Sequence, residues 1–355
     1  MNIVFLTLTP IVGIAGTAAW TWYAGFSLWM PVLMFVMYAA VGLSITAGYH
    51  RHFSHKSYEC SRAMQIFYAV FGALAAQNSI LWWSSSHRVH HKYADRDWDP
   101  YNIRRGFLWA HIIWIFYKNE ERDDTFENSP DLLANPIVMW QHRWHKEIMV
   151  LVGFGLPTLI GFAFGNPLAG LLWGGFTRIV VLHHTTFFVN SLAHTVGKPV
   201  FNAEASARDN WLVAVFTLGE GFHSFHHRFP ADFRNGIRWY DFDPAKWMIR
   251  GLKSIGLAGD LMTTPLPQIE QARMRAAIRL VETRIQTASN NLAEEARRRI
   301  KVASNHLEKA ISLWKRALEE KAQGIAWRKT SRASRRHVRH SRRQWKLAVR
   351  MLQAA

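Results

Sequence analysis

The stretch GEGFHSFHHRFP runs from Gly219 to Pro230. Within five residues it places three histidines, namely His223, His226 and His227. Their spacing of i, i+3 and i+4 puts all three imidazoles on one face of a helix. Such a face either brings several ligands to a metal ion or lies against water.

Further histidine clusters precede this stretch. HRVHH repeats the same spacing with His87, His90 and His91. HRHFSH begins at His50 and ends at His55, a pair that lies about 140° apart on an ideal helix and converges only if the helix ends or distorts. Asn190 and His194 form a further pair spaced i, i+4. One cluster alone would favour a solvated helix face, but three clusters predict a metal site.

Four apolar runs approach the roughly 20 residues that a membrane-spanning helix needs. They cover about residues 3–23, 28–48, 147–165 and 168–190. The short connections at 24–27 and 165–167 contain no Lys or Arg, whereas the segments beside the other ends are basic. The positive-inside rule therefore places both termini and the long loops in the cytoplasm. In a bacterium the expected membrane is the cell inner membrane.

Two weaker apolar runs, 64–83 and 107–117, are aromatic-rich and interrupted by polar residues. If 64–83 were a fifth span, His87 would face the compartment opposite His50. We therefore predict that both runs are helices in the headgroup interface. The expected fold class is an all-α membrane protein with four transmembrane helices, a cytoplasmic helical cap that carries a His-rich di-metal site, and a basic C-terminal helical extension.

The charge of the chain is concentrated at its end. Residues 268–355 hold 22 Lys and Arg against 7 Asp and Glu, and so carry most of the formal net charge of +18. We expect residues 1–267 to form the membrane-embedded domain and 268–355 a basic tail that is either amphipathic and helical or partly disordered. The tail is either a solvated extension or a surface for an electron donor or for anionic lipid headgroups, which attract each basic residue by about 1 kcal/mol. Nucleic-acid binding is disfavoured because no recognisable fold carries these charges.

The choice of metal is open at this point. A single cysteine, Cys60, excludes an intramolecular disulfide and a Cys-ligated iron–sulfur cluster. Imidazole ligands without thiolates suit iron, zinc or copper. Because a catalytic zinc usually takes three protein ligands, the clusters hold more histidines than one ion needs. Two ions are therefore expected.

The quoted stretches resemble the integral-membrane acyl-CoA desaturases of the stearoyl-CoA desaturase type. GYHRHFSHKSY is similar to the family's HxxxxH box, and HRVHHKYAD and GEGFHSFHHRFP are similar to its HxxHH boxes. VNSLAH matches as well, and so do the order of these motifs and the four-span layout. The resemblance covers roughly residues 25–260.

The resemblance implies two iron ions held by nine histidines, with an asparagine that contributes through a water. Carried over residue by residue, the ligands are His50, His55, His87, His90, His91, His194, His223, His226 and His227, with Asn190 as the water-bridged partner. His52 matches no family ligand and is expected beside the site or at the surface. His183 and His184 in the fourth span match none either, and either line the substrate tunnel or form interhelical hydrogen bonds.

The resemblance also implies substrate contacts. Around the bend of the acyl chain stand Gln77, Trp83 and Thr186, and the headgroup positions that remain are Asn78 and Lys118. The mammalian acyl-CoA enzymes have an Arg-Asp pair before the second histidine box, where this chain has Ser85-Ser86. Acyl-CoA is therefore the expected carrier, with acyl-lipid and acyl-carrier-protein substrates as alternatives.

The implied activity is O₂-dependent desaturation of a long-chain acyl thioester, with a cis double bond at Δ9. The chain shows no HPGG-type haem-binding motif and no cysteine cluster, so we expect a separate ferredoxin-like or haem-protein electron donor with its reductase. The alternatives are a di-iron membrane fatty acid hydroxylase and a non-enzymatic membrane scaffold that acts through its basic tail.

Overall fold

A computed structural model describes residues 2–117, 125–286, 291–322, 333–334, 336–345 and 347. The chain divides into two compact units. The first consists of residues 1–198 and 206–263, and the second of residues 199–205 and 264–355.

Helices dominate the described residues. In chain order the α-helices are α1 (Asn2–Pro10), α2 (Thr17–Ala24), α3 (Trp29–Leu43), α4 (Arg62–Ala73), α5 (Ile80–Tyr93), α6 (Phe107–His111), α7 (Pro130–Leu133), α8 (Pro136–Gly153), α9 (Gly155–Ala163), α10 (Pro167–Gly170), α11 (Arg178–Asn190), α12 (Trp211–Phe216), α13 (His223–Arg228), α14 (Pro244–Ser254), α15 (Leu266–Gln286) and α16 (Asn291–Ala322). π-Helical segments cover Ile11–Gly16, Ser44–Ser54 and Leu171–Thr177, and 3₁₀ turns cover Ile103–Arg105, Ile113–Phe116 and Leu192–His194. Two short strands, β1 (Glu59–Cys60) and β2 (Ala258–Gly259), pair antiparallel.

Three continuous helices are long and apolar enough to cross a membrane: Ile3–Ala24, Trp29–Ser54 and Pro136–Ala163. Large apolar side chains on them stay exposed, including Trp22 at 92%, Leu151 at 72% and Phe162 at 72%. A surface of this kind is matched to lipid, because soluble proteins rarely expose such contiguous apolar area.

The predicted fourth span, 168–190, lies within a continuous helical run formed by α10, the π-helical segment after it and α11. This run also carries Arg178, which is fully buried. Its guanidinium donates to the carbonyl oxygens of Leu74 (2.6 Å) and Gly153 (3.4 Å), at the C-terminal ends of α4 and α8. The negative end of the α4 dipole thus faces this buried charge.

The run 64–83 is not one helix. It is divided into α4 and α5 by a turn in which Ala76 (φ 54°) and Asn78 (φ 76°) have left-handed backbone conformations. α5 restarts at Ser79, whose hydroxyl accepts from the Trp82 amide. The run 107–117 is likewise broken, into α6 and a 3₁₀ turn.

A close contact between glycine and tyrosine fixes α4 against the π-helical segment Ser44–Ser54. A Cβ at Gly72 would lie 2.2 Å from the ring of Tyr49, and one at Gly48 would lie 2.6 Å from the ring of Tyr68. Both tyrosine side chains are buried in the main core of the first unit. The glycines therefore set how closely α4 approaches the helix that carries the first histidine cluster.

The second unit has a core of its own. α15 and α16 contribute Met274, Leu307, Ala310, Ile311 and Trp314, and the helical residues 336–345 contribute Val338. The exposed side of residues 336–345 is basic, with Arg336, Arg339 and Arg343. Much of the tail beyond Gly324 lies outside the described residues.

Candidate metal centre

The first histidine pair is aligned by the π-helical winding of Ser44–Ser54. In a π-helix the amide of residue i+5 bonds to the carbonyl of residue i, so positions five apart fall on one face. The His55 amide makes this bond to the His50 carbonyl at 3.1 Å. The sequence required a helix distortion between His50 and His55, and the structure supplies it as the wider winding of a π-helix.

The other two clusters lie on short, capped helices. α5 carries His87, His90 and His91, and α13 carries His223, His226 and His227. The residue before α13, Phe222, offers no capping side chain. Instead the Asp209 carboxylate accepts from the Phe225 amide at 3.1 Å and caps the helix from another part of the chain.

The nine predicted histidine ligands form two groups. The first group is His50, His55, His87, His91 and His226, and the second is His90, His194, His223 and His227. Within each group the candidate ligand nitrogens lie within 4.8 Å of one another. His226 Nε2 lies 2.9 Å from both His50 Nε2 and His91 Nε2, and His223 Nε2 lies 3.0 Å from both His194 Nε2 and His227 Nε2.

Carboxylates fix which imidazole nitrogen carries the proton. Glu220 Oε1 lies 3.1 Å from His50 Nδ1, and Asp99 Oδ1 lies 2.8 Å from His90 Nδ1. An ionised carboxylate only accepts, so each Nδ1 donates and each Nε2 presents a lone pair. These lone pairs point at other imidazole nitrogens, an arrangement that is repulsive until a cation lies between them. The donor set therefore fits metal ions.

Seven of these imidazoles are held neutral. Burial, reinforced by neighbouring imidazoles, lowers the pKa well below its usual value for His55, His87, His91, His194, His223, His226 and His227. Only the neutral ring offers a nitrogen lone pair to a metal.

A buried charge network holds Glu220 in place. Asn235 donates to Glu220 Oε2 at 2.7 Å, and Arg51 donates to both Glu220 (3.4 Å) and Asp243 (2.8 Å). Burial would raise the pKa of Glu220, but His50 and Arg51 outweigh it and the pKa is lowered. The carboxylate therefore stays ionised beside the first histidine group.

The histidines adjoin a cavity of about 900 Å³, within the size range of small-molecule sites. Its wall includes His50, His87 and His223, together with apolar side chains such as Ile45 and Leu182. Asn190 also lies on this wall. The space thus connects the candidate metal site with an apolar compartment.

The three predicted contacts of the acyl bend lie together on this wall. Gln77 Nε2 donates to Thr186 Oγ1 at 2.9 Å, and Trp83 Nε1 lies 3.4 Å from Gln77 Oε1. The Trp83 ring stacks on His87 with centroids 5.0 Å apart. Asn78 lines the same cavity, and Lys118 lies outside the described residues.

The remaining predicted polar residues have other contacts. His52 lies outside both groups, with Nδ1 2.9 Å from the Tyr58 carbonyl. His183 lines the cavity and also has a hydrogen-bonding partner outside its own helix, since its Nε2 lies 2.8 Å from the Ala75 carbonyl. Exposed His184 meets His111 at 3.1 Å. Ser85 donates to Asn128 at 2.7 Å, so it faces a neighbouring loop.

Sequence reasoning missed the residues that orient the ligands, namely Asp95, Asp99, Ser206 and Glu220. A signal existed for two of them, because Asp95 and Asp99 follow HRVHH within eight residues of His91. Ser206 gave none, since it is twelve residues beyond His194 and meets it only through the fold.

Known proteins with similar sequences match this region. The family model described as fatty acid desaturase matches residues 27–255. The chain is 40% identical to acyl-CoA desaturase 1 of Saccharomyces cerevisiae over 77% of this chain and 53% of that protein. It is 34% identical to an sn-2 palmitoyl-lipid 9-desaturase of Nostoc sp. over 75% and 90% of the two chains, and 38% identical to human stearoyl-CoA desaturase 5 over 66% and 72%. The chain spans about half the length of its two yeast relatives, at 53% and 50%.

Proposed function

The chain belongs to the fatty acid desaturase family, and on that premise we propose that it is an O₂-dependent desaturase that introduces a cis Δ9 double bond into a long-chain acyl-CoA. One observation carries the proposal. Two groups of largely buried histidines adjoin an apolar cavity whose wall holds the linked side chains of Gln77, Trp83 and Thr186. Metal ligands and a site for an alkyl chain are thus neighbours.

We propose that the nine histidines hold two iron ions, with Asn190 contributing through a water. When bound, the irons supply the O₂ activation that removal of hydrogen from an unactivated methylene requires. The carboxylates of Glu220 and Asp99 keep the Nε2 lone pairs of His50 and His90 directed inward. Six of the nine histidines are buried, which limits the access of bulk water to the site.

The role of the cavity wall is positional. Holding one C–C bond beside the histidines makes the reaction effectively unimolecular and sets which carbons react. Gln77 is fixed by Thr186 and Trp83, so it offers a rigid bend against which the alkyl chain turns for a cis product. Two hydrogens leave adjacent methylenes, and two electrons and two protons from outside complete the reduction of O₂ to two waters. The proposed source of the electrons is a separate ferredoxin-like or haem protein.

Acyl-CoA is the proposed carrier, although the relatives named above include acyl-lipid enzymes as well. Ser85 donates to Asn128 at 2.7 Å, and Ser86 donates to the Trp82 carbonyl at 2.7 Å. Both hydroxyls are uncharged and bonded within the protein, so neither residue supplies a charge for a headgroup. An assay that offers the same alkyl chain as CoA thioester and as phospholipid ester separates the two carriers.

We further propose four spans, the fourth being 168–190, with both termini and the metal site on the cytoplasmic side. The continuous helix through α10 and α11 supports the fourth span. Arg178 and His183 within it are buried against backbone carbonyls, which lowers the cost of placing them at membrane depth. Residues 268–355 are proposed as a separate basic domain that faces anionic headgroups.

The test is expression in a host that lacks its own fatty acyl desaturase, followed by fatty-acid profiling. We expect Δ9 monounsaturated chains with the wild type and none with His226→Ala. A chain that ends at Thr263 should retain activity, which would exclude a scaffold acting through the tail. Hydroxylated chains, or unchanged fatty acids despite full metal loading, would contradict the proposed function.

A further inference from the structure

The two histidine groups receive different support from the residues around them. In the first group the Glu220 carboxylate accepts from His50. In the second group two ligands are supported, since Asp99 accepts from His90 and the Ser206 hydroxyl lies 2.6 Å from His194 Nδ1. The hydroxyl of Ser206 in turn donates to Asp95.

This chain of contacts determines the tautomer of His194. A serine hydroxyl has one proton, and here Asp95 Oδ1 takes it, because an ionised carboxylate only accepts. Ser206 Oγ must therefore accept from His194 Nδ1–H. The lone pair of His194 then lies on Nε2, which faces His223 Nε2 at 3.0 Å. Without the Asp95 carboxylate the hydroxyl could instead donate to Nδ1 and leave Nε2 protonated.

Asp95 is itself held in place. Its second oxygen accepts from the Ser206 amide at 2.8 Å, so the carboxylate makes two hydrogen bonds to the serine. Its own amide donates to Asp99 Oδ2 at 3.2 Å, and Asp99 Oδ1 accepts from His90. Both acidic side chains are buried, at 8% and 3% exposure. One turn, residues 95–99, therefore orients His90 directly and His194 through Ser206.

We propose that Asp95, acting through Ser206, is a positioning residue that selectively sets the metal affinity of the four-histidine position. The inference rests on the proposed two-metal centre. Loss of a partner that orients a ligand typically lowers metal affinity 10- to 100-fold. The five-histidine position has no ligand bonded to Asp95, Asp99 or Ser206 among the contacts of the described residues, so it should keep its metal.

The experiment is a chelator titration of the iron-loaded full chain, with bound iron measured per chain and the Mössbauer spectrum recorded at each stage. Ser206→Ala should release one iron at about 10- to 100-fold lower chelator concentration than the wild type, with loss of one iron signal and retention of the other. Asp95→Asn should also lower the chelator concentration that releases this iron, but by a smaller factor. The reason is that the amide oxygen of Asn can accept from only one of the two Ser206 donors, the backbone amide and the hydroxyl. Ser206→Thr, which keeps the hydroxyl, should restore the wild-type titration.

Ser44→Ala is the matched control. Ser44 is a fully buried serine whose hydroxyl bonds to the Ala40 carbonyl within its own helix, so its loss should leave both irons in place. Thermal unfolding of the metal-free variants checks that Ser206→Ala folds as the wild type does. Release of both irons in parallel, or no change in either, would overturn the inference while leaving the two-metal centre intact. A wild type that holds fewer than two metal ions would overturn the centre itself.

Discussion

At the scale of single residues, Gln77 is where the cavity and the metal site are coupled. Its side-chain nitrogen donates to Thr186 and its side-chain oxygen accepts from Trp83, whose ring stacks on His87. In the proposed desaturase, we expect a side chain that orients two others in this way to affect where the substrate lies and not whether metal binds.

Gln77→Leu should therefore lower turnover about tenfold, since loss of about 1.4 kcal/mol of orientation corresponds to that factor. The iron content should stay unchanged. Turnover with a saturating acyl substrate and iron per chain, measured on the same preparation, check this.

Gln65→Leu is the matched control for that variant. Gln65 is also half-buried and also has two side-chain hydrogen bonds, to the Cys60 carbonyl and from Asn135, but it does not line the cavity. An equal loss of turnover in both variants would show that Gln77 has only a structural role.

The sequence predicts the histidines of the site better than it predicts the residues that orient them. Six of the nine histidines are visible because their i, i+3, i+4 spacing is local, and the structure gathers all nine into two groups. Ser206 and Glu220 are not visible, because each meets its histidine from a different part of the chain. Asp95 lies close to HRVHH, but only the fold shows that it acts on His194 through Ser206. Tautomers are set by such contacts, so a ligand set can be inferred from sequence while its orientation cannot.

At the scale of elements, α4 packs closely against the helix Trp29–Ser54, whose C-terminal part carries His50. Gly72 permits that contact by leaving room for the Tyr49 ring. Periodicity alone predicted neither this contact nor the π-helical winding that aligns His50 with His55, because both depend on packing between helices.

Gly72→Ala should destabilise the protein by about 1–3 kcal/mol, the usual cost of overpacking. A Cβ at this position would lie 2.2 Å from a ring carbon of buried Tyr49, which has no room to withdraw. The thermal midpoint in detergent measures the effect.

Gly251→Ala is the control for the same substitution in a helix. No atom lies within 4 Å of a Cβ built at Gly251, and the residue is exposed on α14. Alanine is favoured over glycine in helices by up to about 1 kcal/mol, so this variant should be neutral or stabilised. A thermal midpoint for Gly72→Ala as high as that of Gly251→Ala would contradict the packing argument.

At the scale of the whole molecule, the first unit combines an apolar exterior that is matched to lipid with a buried polar site. Composition and charge bias predicted the four runs, and three of them lie within helices apolar enough to span. The fourth carries Arg178, His183 and His184, whose partners only the fold reveals.

The proposed topology is tested by labelling single cysteines in intact cells. Cys60 is the one native cysteine, so Cys60→Ser gives a clean background. Ala24→Cys, in the connection 24–27, and Phe164→Cys, directly before the connection 165–167, should react with a membrane-impermeant maleimide from outside. Lys253→Cys should react only after permeabilisation. Labelling of Phe164→Cys and Lys253→Cys from the same side would rule out the four-span arrangement.

The central claim is that the two histidine groups and the cavity beside them form one desaturation centre. The most direct measurement is mass spectrometry of the acyl chain after purified, iron-loaded protein has been given stearoyl-CoA, O₂ and a reductant. The account predicts a product lighter by two hydrogens with a cis double bond at C9, formed by the wild type and not by His226→Ala. A product heavier by one oxygen, or unchanged stearoyl-CoA from protein that holds two irons, would contradict it.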